Sequence, residues 1–111
     1  MTTGIRLFVY PARDLAATKA LFQALLGVAP YVDQPYYVGF KAGDHEIGLN
    51  PNSDASGPVA FWRVQDIKSS LQSLLDAGRQ VHQAIKEVGG GKVTALVKDA
   101  SGNILGLMQE P

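Results

Sequence analysis

Residues Val88 to Pro111 read VGGGKVTALVKDASGNILGLMQEP, and the rest of the chain takes its meaning from them. Val93, Ala95 and Val97 alternate with Thr94, Leu96 and Lys98, the period of two that marks a strand. Asp99-Ala100-Ser101-Gly102-Asn103 follows, a cluster of the residue types that build turns with left-handed backbone positions. Ile104 to Met108 is apolar on both faces except at Gly106. A glycine inside a strand gives up packing and often marks a close approach to the backbone. The stretch is therefore a glycine turn, a strand, a tight turn and a last strand.

Working backwards, Val81 to Val88 is a strand without proline, and Gly78 stops a helix before it. Ile67, Leu71, Leu74 and Leu75 form that helix's apolar stripe, and the Asp66 side chain caps its first turn. Val59 to Val64 is the strand that leads in. Pro51 to Gly57, PNSDASG, is a loop of breakers and small polar residues and forms the internal boundary.

The same order precedes that boundary. Ile5 to Tyr10 is a strand closed by Pro11. Asp14 caps a helix whose apolar face is Leu15, Thr18, Leu21, Phe22, Leu25 and Leu26, and Gly27 ends it. Tyr31 to Val32 is a short strand, Tyr36 to Lys41 a longer one, Gly43-Asp44 a turn, and His45 to Asn50 the last. The spacing predicts helices over 14–26 and 66–77 and the order β-α-β-β-β twice, an internal repeat. Asp14-Leu15 is echoed by Asp66-Ile67, and Ile47-Gly48-Leu49 by Leu105-Gly106-Leu107. Half a chain of this length buries little surface alone, so the halves are expected to form one domain.

The chain has 111 residues, 46% of them apolar, with 10 basic and 10 acidic side chains and no cysteine. That length suits one domain with a real core. The charge balance lacks the clustered Lys and Arg of a nucleic-acid footprint. No apolar run approaches a membrane span, and the N-terminus lacks signal-peptide regions. Without cysteine there is no disulfide, thiolate metal site or thiol nucleophile. A cytoplasmic protein with neither nucleic-acid nor membrane partners is expected.

The segment Phe61 to Gly78, FWRVQDIKSSLQSLLDAG, followed by the closing stretch, resembles the vicinal oxygen chelate superfamily of glyoxalases, extradiol dioxygenases and bleomycin-resistance proteins. Leu7 to Val28, LFVYPARDLAATKALFQALLGV, carries the likeness into the first half. The resemblance implies an α+β fold: a single glyoxalase-like domain of two β-α-β-β-β modules, about 4–50 and 58–110, whose curled mixed sheets surround a cavity. It also implies a homodimer. In the family's enzymes four side chains, usually His or Gln and Glu, hold a divalent metal from the first and last strands of each module. The first-strand positions, seven residues before each capping Asp, are Leu7 and Val59 here, and the last-strand positions are Gly48 and Gly106. None of the four offers a donor atom, so neither a metal nor another cofactor is expected.

Alternation places Val9, Phe61, Arg63, Glu46, Asn50, Ile104 and Met108 on the face of those four positions. The expected ligand pocket is Leu7, Val9, Gly48, Val59, Phe61, Arg63, Gly106 and Met108, mostly apolar, with room left by the two glycines. Arg63 has two readings: a bidentate holder of a ligand's carboxylate or phosphate, or, as is commoner at a strand end, the partner of an acid or of solvent. Glu46 is a base if buried, but its place beside a turn points to solvent. Asn50 serves the turn at Pro51. Of Tyr36 and Tyr37, which face opposite ways, one faces the pocket. His45 belongs to an exposed turn, and the strand register of His82 is open. No serine stands beside a histidine to make a nucleophile, and no helix follows Gly89-Gly90-Gly91 to make a phosphate loop.

These features favour a metal-independent protein that binds a small, partly apolar and possibly anionic molecule, in the manner of the bleomycin-resistance members. The alternatives are a glyoxalase-type lyase or isomerase, a metal-independent enzyme using Arg63, Glu46 or His82, and an interaction module. Fold analogy alone supports an enzyme, and fold does not determine function.

Overall fold

The computed structural model describes residues 1–111. The elements run β1 (Thr2–Pro11), α1 (Leu15–Leu26), β2 (Val32–Gln34), β3 (Tyr37–Ala42), β4 (His45–Asn50), β5 (Val59–Val64), α2 (Ile67–Asp76), β6 (Gln80–Gly89), β7 (Lys92–Lys98) and β8 (Ile104–Gln109). The chain is α+β, and the β-α-β-β-β order occurs twice. It divides into two compact units, one of residues 7–59 and the other of residues 1–6 with 60–111. Thus β1 gives its start to the later unit and its end to the earlier one.

In the earlier unit the strand order is β2-β3-β4-β1. The β2–β3 and β3–β4 pairs are antiparallel, whereas β1 runs parallel to β4 with Leu7 opposite Glu46 and Val9 opposite Gly48. Parallel neighbours cannot be joined by a hairpin, and α1 lies on the connection between them. Leu15, Phe22 and Leu26 of its apolar stripe cover one sheet face, whereas Leu21 and Leu25, read into the same stripe, are exposed. Ala12, Val38, Phe40 and Leu49 are buried there, with Tyr10, Leu15, Phe22, Leu26 and Ile47 packed around them. The Tyr10 and Phe22 ring centroids are 4.9 Å apart. The Asp14 carboxylate accepts from the Ala17 N–H at 3.1 Å, and Gly27, at φ 70°, ends α1 in the left-handed conformation.

The later unit repeats the plan as β5-β8-β7-β6, with the start of β1 beside β5. There β5 and β8 are parallel, with Phe61 opposite Gly106 and Arg63 opposite Met108, and the other pairs are antiparallel. Val64, Ile67, Ala95 and Leu107 form the core, backed by Trp62, Leu71, Leu74, Ile85 and Val93. Two turns hold the closing stretch. Gly89, Gly90 and Gly91 have φ of 99°, 63° and 76°, a run of left-handed positions that side chains would resist. Asp99 organises the other: its Oδ1 accepts from the N–H groups of Ser101 at 3.0 Å and Asn103 at 2.8 Å. The hydrogen bond from the Asn103 amide is the main cause that holds the Asp99 carboxyl below its usual pKa.

The open register of His82 has a physical cause. β6 is bulged against β7: Val81 pairs with Val97 and Gln83 with Leu96, so His82 falls in a register shift and is exposed. A residue at a bulge takes no side from alternation.

Phe40 is 0% exposed, whereas Leu25 on the outer side of α1 is 73% exposed. Phe40→Ala should therefore cost about 3–5 kcal/mol of unfolding free energy, as large core truncations do. Leu25→Ala should stay within about 0.5 kcal/mol, as surface changes do. Urea titrations of the two variants against the parent check the difference.

Candidate functional site

The sheet face opposite each helix carries the expected pocket positions. In the earlier unit the strand register sets Leu7 beside Glu46 and Val9 beside Gly48, and Gly48 beside Gly39. Tyr37, two residues before Gly39, shares that face, while Tyr36 is 65% exposed. The Tyr37 ring lies over Gly48: a methyl group there would come within 2.7 Å of its Cζ and 2.9 Å of its Cε1. The Tyr31 ring covers Gly39 in the same way, 3.1 Å from where a methyl would stand. Paired glycines thus make a flat floor, and two phenol rings lie on it. The Tyr31 hydroxyl donates to the Glu46 carboxylate. Glu46 is only 9% exposed, against the expectation of a solvated turn residue. As the second residue of β4 it has Lys41 on one neighbouring strand and Leu7 on the other, which keeps water away.

In the later unit, parallel pairing brings Phe61, Arg63, Gly106 and Met108 together. The Phe61 ring lies over Gly106, with Cγ 2.6 Å and Cε2 2.7 Å from where a methyl would be. The room expected above both glycines is therefore filled by the chain's own rings. Val59, which begins β5 and is the last residue of the earlier unit, is buried.

Arg63 takes the acid-paired form. Its Nε donates to Glu110 Oε1 at 2.9 Å. Arg6 Nε meets the same carboxylate, at 3.2 Å from Oε1 and 3.4 Å from Oε2. The Thr2 hydroxyl donates to the Arg63 carbonyl at 2.7 Å and ties β1 to β5. Burial raises the pKa of the Glu110 carboxyl. The hydrogen bond from Arg63 and the charges of Arg6, Arg63 and Lys92 outweigh it and hold the group below its ordinary 4.5. Sequence reasoning missed Glu110 because it lies past the end of β8, where alternation no longer applies. It read Tyr31 as the start of a strand, whereas β2 begins at Val32 and the partners of Tyr31, Gly39 and Glu46, stand on β3 and β4.

The remaining candidates do not join these clusters. His45 is exposed and faces the Phe8 ring at a centroid distance of 6.1 Å. The Asn50 side chain accepts from the Asn52 N–H at 2.9 Å, within its turn. A depression of about 250 Å³ in the later unit is lined by Leu74, Arg79, Val97, Asp99, Asn103, Ile104 and Leu105, of which only Ile104 was placed on the pocket face.

The four positions of a family-type metal centre fit no metal, since leucine, valine and glycine side chains carry no donor. No group of three or more His, Asp or Glu side chains comes together elsewhere to hold one.

Residues 4–107 match the model of the glyoxalase/bleomycin resistance protein/dioxygenase superfamily. No curated protein sequence matches the chain. Solved structures do. A superfamily member from Vibrio splendidus 12B01 is 17% identical with a TM-score of 0.75, over 96% of this chain and 99% of that one. Methylmalonyl-CoA epimerase from Mycobacterium tuberculosis is 16% identical with a TM-score of 0.73, over 99% and 89%. The Mn(II)-bound glyoxalase from Novosphingobium aromaticivorans is 20% identical with a TM-score of 0.75, over 98% of this chain and 39% of that longer one. At such identities the likeness is one of fold.

Two outcomes follow. Gly106→Ala should destabilise by about 1–3 kcal/mol, the range of overpacked sites, because the clash involves the base of the Phe61 ring, which cannot swing away. Gly48→Ala should cost less, since it meets the far end of Tyr37. Adding Phe61→Ala to Gly106→Ala should produce a favourable coupling in a double-mutant cycle; simple additivity would contradict the contact. The second outcome concerns pH. Because the folded Glu110 carboxyl is more acidic than 4.5, its stabilisation is complete above that value and is lost as pH falls through the folded-state pKa. Glu110→Gln should cost about 1 kcal/mol at neutral pH, discounted for partial exposure, and nothing in strong acid.

Proposed function

This chain belongs to the glyoxalase/bleomycin resistance protein/dioxygenase superfamily, and we propose that it serves there as a metal-independent binding protein for a small, partly apolar molecule with an anionic group. The observation that carries the proposal is chemical. Where the family's enzymes hold a metal, this chain has Leu7, Gly48, Val59 and Gly106, while aromatic and aliphatic side chains occupy the same strand faces. Such surface binds the apolar part of a ligand by removing it from water, at about 25 cal/mol per Å² before the costs of association. Phe61, Arg63 and Met108, brought together in the later unit by the pairing of β5 with β8, are the residues proposed to contact the ligand, with the Phe61 ring in the room first expected above Gly106. Arg63 would orient the anionic end. A homodimer and a cytoplasmic location belong to the same proposal.

A second reading rests on Glu46, a nearly buried carboxylate that holds a tyrosine hydroxyl. A group so placed can take a proton from a bound carbon acid without any metal, as a general base. Under this reading Glu46→Gln abolishes turnover. Under the binding reading the same change leaves ligand affinity within about twofold, because hydrogen bonding of the amide replaces that of the acid.

Calorimetric titration with small neutral arenes and their carboxylate counterparts tests the proposal. Wild-type protein should bind members of both series, and Phe61→Ala should weaken both by about tenfold, the effect of losing roughly 1.4 kcal/mol of apolar contact. Binding that depends strictly on added Zn, Ni or Mn would overturn the metal-independent reading. Failure of every arene to bind would remove the proposal.

A further inference from the structure

We propose that Arg6 and Arg63 form a carboxylate-binding site which Glu110 plugs at rest, and that an anionic ligand enters by exchanging its own carboxylate for that of Glu110. This rests on the binding reading above and specifies the ligand class and the event that admits it. Both guanidinium groups converge through Nε on one carboxylate, at 2.9 Å and 3.2 Å. The Glu110 side chain is in effect a carboxylate ligand already in place, so the site is shown to fit one. Arg6, Arg63 and Lys92 all act on this anion. Arg63 is 45% exposed on its side chain and uses only Nε among its nitrogens. Its terminal amino groups are left to meet an incoming anion before Glu110 departs.

The plug is also built to leave. Glu110 follows Gln109, the last residue of β8, whose partner is Val93. Its swing therefore breaks no rung of the sheet ladder. Once released, the carboxylate is 24% exposed at the start and can be hydrated, whereas the two guanidinium groups gain a replacement of the same charge. Exchange of like for like keeps the net cost small, because charge-assisted hydrogen bonds are made and lost in equal kind. The position of Arg63 opposite Met108 and next but one to Phe61 sets an apolar surface beside the charge. A planar aryl carboxylate suits both.

Titration with benzoate, phenyl phosphate and neutral benzamide, followed by calorimetry, decides the matter. Glu110→Gln should bind benzoate at least tenfold more tightly than wild type and benzamide equally well. The gain should vanish in Glu110→Gln/Arg63→Met. Glu110→Ser provides the same comparison should the glutamine variant fold poorly, with circular dichroism as the check on folding. A larger gain for phenyl phosphate than for benzoate would point to a phosphate rather than a carboxylate and overturn the assignment of ligand class. Equal benzoate affinity in wild type and both Glu110 variants, with benzamide still bound, would refute the plug while leaving the binding reading intact. Loss of all three probes in every variant would reject that reading itself.

Discussion

Parallel pairing of β1 with β4, and of β5 with β8, is the constraint on which each half of the chain depends. A parallel pair needs a crossover, and here the crossover carries a helix and two further strands. The helix must cover the face it crosses, so that face is apolar: Phe40 and Leu49 in one unit, Ala95 and Leu107 in the other. Side-chain alternation then assigns the opposite face to Val9 and Gly48, and to Phe61 and Gly106. The site positions are thus by-products of the pairing that makes the fold.

The same register explains why glycine stands at both last-strand positions. An aromatic ring that lies flat on a sheet needs a neighbour without a Cβ beneath it. Tyr37 reaches over Gly48 from an antiparallel strand and Phe61 over Gly106 from a parallel one. At the two positions where the resemblance places a long carboxylate, this chain has glycine with a ring laid over it. Tyr31 over Gly39 extends the floor and adds one polar contact, its hydroxyl on Glu46.

Most of the fold was legible because it rests on local rules. Asp14 and Asp66 cap their helices, and β4 and β5 span the residues that alternation marked. The lack of donors at Leu7, Gly48, Val59 and Gly106 was equally plain. What escaped depended on partners distant in sequence or on broken periodicity. Glycine was read as room because a sequence does not show which ring will fill it. Glu46 was read as solvated because a turn precedes it, whereas burial comes from strands on both sides. His82 had no readable side because β6 is bulged around it.

Arg63 shows where such reading stops. Its face follows from its place in β5, but its charge state of affairs does not, since its partner comes from beyond the last strand. A chain with equal numbers of acids and bases need not be neutral at any one place. At this end of the later unit Arg6, Arg63 and Lys92 all act on the Glu110 carboxylate. Because Arg6 shares that carboxylate, neither arginine is committed to it alone. Under the proposed exchange the carboxylate between the arginines belongs in turn to the chain and to a ligand, and the two residues that receive it are held in place by β1 and β5.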